Sequence, residues 1–160
     1  MGVKLVTTQK QLDEMTIELY KIVRDEVMRA FQYLGEESIT KIRDRSAEES
    51  WIDDTGNLRS SIGYAVYDHA EIEVESAFEV VGQGAKGSSE GKRMITELAK
   101  LYAKVYALVV VAAMNYAEYV EAKDNKDVLA STELWARSKV DSYMKKALKR
   151  AMIKINKIVQ

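Results

Sequence analysis

The chain has 160 residues, 47% of them hydrophobic, enough for about one domain around a single core. It contains no cysteine, which excludes a disulfide framework, a thiolate zinc site and a cysteine nucleophile, and is compatible with a reducing compartment. A formal net charge of −1 argues against nonspecific attraction of the whole molecule to nucleic acid or to a membrane.

Thr8 followed by Gln11 has the form of a capping box. Leu12, Met15, Leu19, Ile22, Val23, Val27, Phe31 and Leu34 then recur every three or four residues, predicting a helix of several turns up to Gly35. A more acidic segment from Glu36 to Glu49, anchored by Ile39 and Ile42, predicts a second helical piece ending near Trp51. Asp53-Asp54-Thr55-Gly56-Asn57 is a turn by composition. Its oxygens could be offered to a cation, but the ligand spacing of a calcium loop is missing.

Beyond the turn the period changes from helical to alternating. Leu58, Ile62, Tyr64 and Val66 fall on one side of a predicted strand, and Arg59, Ser61 and Gly63 on the other. Asp68-His69 predicts a reversal into a second strand. There Ile72, Val74, Phe78 and Val80 would face one way and Glu71, Glu73, Glu75 and Glu79 the other, giving a sheet with one buried and one acidic face. His69, the single histidine, sits at a hairpin tip and supports neither a metal site nor a serine triad.

The glycines of VGQGAKGSSEGKRM, residues 81–94, include Gly82, Gly84 and Gly87 in the G-x-G-x-x-G spacing of a dinucleotide turn. Ser-Ser-Glu delays the helix that should meet the pyrophosphate, no acid stands about 20 residues on, and Gly87 and Gly91-Lys92 miss P-loop spacing. The segment from Gly82 to Gly91 is therefore expected to be a flexible glycine-rich insertion, with the next helix capped by Ser88 or Ser89. No cofactor and no catalytic residue is implied. Met94, Ile95, Leu98, Leu101, Tyr102 and Val105 predict that helix, and Val109-Val110-Val111 predicts a buried strand.

The last helix is expected to start near Lys126 or Asp127, with Ala136, Val140, Tyr143, Met144, Ala147, Ala151, Ile155 and Ile158 as its apolar stripe. From Arg137 onward there are eight basic residues, Lys145 and Lys149 among them, against one acid, Asp141. This face could be simply solvated, or meet an acidic protein, or contact phosphates. The longest apolar run, Val105 to Met114, is shorter than the ~20 residues of a membrane span, and the amino-terminal residues do not form a signal peptide. Together these elements describe a single α+β domain over residues 1–160: a small antiparallel sheet packed with a long N-terminal helix, a middle helix and a long basic C-terminal helix, with no membrane partner and made in the cytoplasm.

Two segments resemble a known family. Asp53 to Val66, DDTGNLRSSIGYAV, is similar to the Thr-Gly-x-Leu-Arg-x-Ser-Ile turn and strand of the tail-completion or head-to-tail joining proteins of long-tailed bacteriophages, and Met114 to Asn125, MNYAEYVEAKDN, to that family's later Tyr-Ala-x-Tyr-Val-Glu segment. The order of elements agrees, but AKDNKDVLASTEL replaces the glycine and proline-flanked Phe-Leu that usually follow. The resemblance implies a non-catalytic virion protein, assembled into a ring of six at the head-tail junction or upper tail. Its partners would be neck or connector proteins and tail-tube or terminator proteins, with DNA only as cargo. It implies that Thr55, Gly56 and Asn57 shape a turn, that Leu58 and Ile62 seat the strand, that Arg59 is available to an adjacent subunit, and that Tyr116, Tyr119 and Glu121 form the second motif. Glu71, Glu73 and Glu75 would meet the basic helix of a neighbour or line the DNA bore. The competing expectation is a small nucleic-acid-binding or regulatory module using the basic C-terminal helix.

Overall fold

In a computed structural model, residues 7–45, 51–123 and 126–158 are described. The first helix, α1 (Gln9–Arg43), begins as expected: Thr8 Oγ1 accepts from the Gln11 amide, and the Gln11 side chain accepts from the Thr8 amide at 2.9 Å. It does not stop at Gly35. The two helical pieces expected on either side of Gly35 are one helix, and the glycine is there because the Tyr64 ring lies against it; a Cβ at this position would sit 2.5 Å from that ring. The helix ends at Arg43, so the expected end near Trp51 is not found, and residues 46–50 lie outside the described residues.

After the Asp53–Asn57 turn the chain makes a single helical turn, α2 (Asn57–Ser60), where a strand was expected. The strand β1 (Ile62–Asp68) starts only at Ile62. A two-residue reversal at His69 and Ala70, both at positive φ, leads into β2 (Glu71–Glu75). The middle helix α3 (Ala85–Leu98) continues as a short 3-10 turn over Ala99–Tyr102 and precedes β3 (Tyr106–Ala112). A short helix α4 (Ala117–Ala122) and the long α5 (Ala130–Ile158), which begins a few residues later than expected, complete the chain.

The sheet has the order β2-β1-β3, both pairings antiparallel. Being central, β1 is buried on both faces. Ile62, Tyr64 and Val66 pack with Met28, Ile39 and Ile42 of α1 and with Trp51 and Leu58, while Ala65 and Tyr67 pack with Phe78, Ile95 and Val111 on the α3 side. The expectation of one buried and one acidic face is thus overturned. A β-bulge opposite Val66 and Tyr67 leaves Glu73 as the extra residue of β2, so that Val74 pairs with Val66 and Ile72 with Tyr67, on opposite faces. The glutamates are split in the same way: Glu73 reaches Arg24 of α1 at 2.5 Å, and Glu75 stands opposite Ala65 on the α3 side. The Gly82–Gly91 segment is not an insertion loop. From Ala85 onward it forms the first turns of α3, with Gly84, Gly87 and Gly91 buried.

Candidate functional site

The two segments singled out by sequence meet in the fold. Gly56 has φ of +77°, and a Cβ there would lie 1.8 Å from the Val81 carbonyl oxygen, so both conformation and space demand glycine. Thr55 Oγ1 accepts from the Asn57 side-chain amide at 3.0 Å, and the Thr55 carbonyl accepts from the Gln83 amide at 3.0 Å. Asn57 then does what Gly84, at the N-cap of α3, has no side chain to do: its Oδ1 accepts from the Gly87 amide at 3.0 Å. The Thr-Gly-Asn turn is a cap supplied to α3 from thirty residues upstream.

The glycines on α3 allow that contact. A Cβ on Gly87 would be 1.9 Å from the Asn57 carbonyl oxygen, one on Gly84 would be 2.0 Å from Ser60 Oγ, and one on Gly91 would be 2.3 Å from the Phe78 ring. Phe78 holds a left-handed backbone conformation, φ +48°, costly for a bulky residue, and its ring fills the slot between Gly63 and Gly91. Two of the backbone amides at this end of α3 are already engaged, Gly87 with Asn57 and Gly84 with the Val81 carbonyl at 2.9 Å.

Arg59 makes contacts within the chain. Its guanidinium donates to the Arg43 carbonyl at 2.6 Å, closing the end of α1, and lies over the Trp51 ring at 5.4 Å; its backbone amide donates to Asp53 Oδ2 at 2.9 Å. Asp53 is thereby used within the turn. Among the described residues no group of acids or histidine is arranged to hold a metal ion.

The second segment is a cap as well. Glu121 Oε1 accepts from the Leu129 and Ala130 amides at 3.1 and 2.6 Å, placing a carboxylate at the amino terminus of α5. Tyr116 stands beside the first motif: burial and the charge of Asp53 push its hydroxyl pKa up, and a hydrogen bond with Thr55 opposes them. Tyr119, by contrast, is 66% exposed. Ile52, Val80 and Val81 are also exposed around the same junction, at 78%, 56% and 39%.

The basic helix is partly spent inside the molecule. Glu26 of α1 is buried, and Arg150 Nε and Lys154 Nζ of α5 approach its two oxygens at 2.6 and 2.7 Å, with Arg29 at 3.5 Å. Burial would raise the Glu26 carboxyl, but the hydrogen bonds from Lys154 and Arg150, and the charges of Lys154 and Arg29, hold it below the usual carboxylate range. Lys145 pairs with Asp141 at 2.6 Å and Arg137 with Glu133 at 2.6 Å. Lys149 is exposed.

Sequence reasoning missed Glu26, although a signal was present, since it falls between Val23 and Ala30 in the apolar stripe of α1. It also missed the cluster at the hairpin tip. There Arg24 Nε donates to Asp68 Oδ2 at 2.6 Å, His69 Nδ1 contacts Asp68, and the Tyr20 and Tyr106 hydroxyls meet. This cluster ties the β1–β2 reversal to α1. Compared with protein-family models, with curated proteins and with solved structures, the chain finds no match. No helix among the described residues is long and apolar enough to cross a membrane.

Proposed function

We propose that the chain is a non-catalytic assembly protein of the tail-completion or head-to-tail joining kind, working in a virion by binding copies of itself and neighbouring neck or tail proteins around a DNA channel. What supports this reading is a set of exposed apolar side chains on the segments that adjoin the junction of the two family-like segments: Ile52, Val80, Val81, Tyr116 and Tyr119 are exposed, while Thr55 and Asn57 spend their polar groups on internal bonds. Such a surface suits a protein partner. The competing nucleic-acid reading draws less support from α5, where Arg150 and Lys154 face Glu26 and Lys145 and Arg137 have acidic neighbours on their own helix.

The test is native mass over a range of concentrations, with DNA binding measured against salt. A joining protein gives a discrete closed oligomer, six copies on this reading, and little DNA affinity at any salt. A monomer whose DNA affinity falls steeply with salt sinks the proposal in favour of the nucleic-acid module.

A further inference from the structure

The two edges of the sheet are defended very differently. β2 is short, bulged and lined by Glu71, Glu73 and Glu75, the devices that keep an edge strand from pairing. β3, YALVVVA, carries no charge, no proline and no bulge, and among the described residues no strand pairs with its outer side. α5 leaves that edge open, packing on α1, and an apolar groove of about 380 Å³ runs between them, with Leu108 and Val110 on one wall and Glu133, Ala136, Arg137 and Val140 on the other.

The backbone groups at this edge can be assigned. The Val105 carbonyl accepts from His69 and the Ala113 amide donates to the Ser61 carbonyl, so odd positions bond to β1. By alternation Tyr106, Leu108, Val110 and Ala112 turn their N–H and C=O groups outward. We propose that a second copy of this chain pairs here, β3 against β3, antiparallel about a twofold axis at Val109.

Self-complementarity selects this occupant. In that register Leu108 faces Val110 and Tyr106 faces Ala112 of the other copy, which satisfies the outward groups of all four residues with no charge opposed to its like. The groove wall has the same property, because Glu133 and Arg137, now paired within α5 at 2.6 Å, present opposite charges that a twofold axis can exchange between copies. The guarded β2 edge is a poor alternative partner. This contact is isologous and does not depend on the ring reading, since ring closure uses heterologous contacts.

The absence of cysteine gives a clean test. Val109 would oppose its counterpart in a non-hydrogen-bonded pair, with Cα atoms about 4.5 Å apart, within disulfide range. Oxidised V109C is expected to run as a covalent dimer. Val110→Pro removes an outward N–H while sparing the ladder to β1, and should shift the monomer–dimer midpoint at least tenfold toward monomer. Should Val110→Pro fail to fold, the V109C cross-link still decides. A closed oligomer that survives Val110→Pro and does not cross-link overturns this inference and leaves the ring standing. A cross-linking dimer that builds nothing larger supports it and removes the ring. A monomer at every concentration, without cross-linking, overturns both.

Discussion

The middle helix and the last helix are docked by opposite means. α3 comes against the Thr55–Asn57 turn through glycines, backbone on backbone, with one amide cap as its polar contact. α5 lies on α1 through the small side chains of Ala147 and Ala151, flanked by the charges that surround Glu26. Each carries a pattern that can signal an anion site: the G-x-G-x-x-G spacing in one case, set aside on its sequence context, and a lysine-rich face in the other, for which phosphate contact is one of three expectations. The difference shows that glycine spacing and lysine density report internal closeness and internal charge balance as readily as a ligand.

The largest effect is expected at the glycine contact. Gly87→Ala drives a methyl against the Asn57 carbonyl oxygen, and since neither partner is a flexible side chain, α3 must shift. Overpacking of this kind costs about 3 kcal/mol, read from chemical denaturation. A loss below about 0.5 kcal/mol would mean that the docking is loose and would break the comparison.

Next comes the charged interface. Removing both cations in Arg150→Met with Lys154→Met leaves Glu26 buried with only Arg29 nearby. The stability loss should be about 2 kcal/mol, below the full cost of breaking a buried pair because both cations are partly exposed to water. Adding Glu26→Met should recover most of it, since no buried charge then remains unpaired. The pH dependence follows from the same group. The Glu26 carboxyl is held below its unfolded value, so its contribution is present above about pH 4 and is lost as pH falls through the folded pKa. In the double variant burial acts on Glu26 with only Arg29 opposing it, so this acid-side loss should shrink or reverse, as followed by unfolding from pH 3 to 6.

How far these contacts could be read in sequence depends on how local their causes are. The capping box of Thr8 and Gln11, the alternation at Ile62, Tyr64 and Val66, and the Val109–Val111 strand are set by neighbours in sequence, and all were legible. The bulge at Glu73 was not, because it depends on what β1 presents to β2 and moves Ile72 and Val74 to opposite faces. Leu58 fits a strand stripe as well as a helical turn, and only the docking of Asn57 against Gly87 decides between them. Arg59 read as an outward contact because its acceptor, the Arg43 carbonyl, belongs to the end of another helix.

The caps should give smaller effects of similar size, although one is an amide and the other a carboxylate. Asn57→Ala frees the Gly87 amide and Glu121→Ala frees those of Leu129 and Ala130, each for about 1 kcal/mol. Hydrogen exchange separates the two, because Asn57→Ala should speed exchange at the start of α3 alone and Glu121→Ala at the start of α5 alone. Fraying at both ends from either variant would show that the two motifs act as one coupled unit.

The smallest effect is expected at Gly82, the first glycine of the G-x-G-x-x-G pattern. Its φ of +56° lies in the left-handed region, but a Cβ there would come no closer than 3.5 Å to the Thr55 carbonyl oxygen, an ordinary contact. Conformation alone constrains it, and asparagine tolerates that conformation, so Gly82→Asn should change stability by about 0.5 kcal/mol or less. Set beside Gly87→Ala in the same denaturation experiment, a near-neutral Gly82→Asn separates a glycine kept for backbone angle from one kept for closeness. Equal losses at the two positions would instead mean that the whole turn is held as tightly as α3, and that Gly82 answers to a contact beyond its own backbone angle.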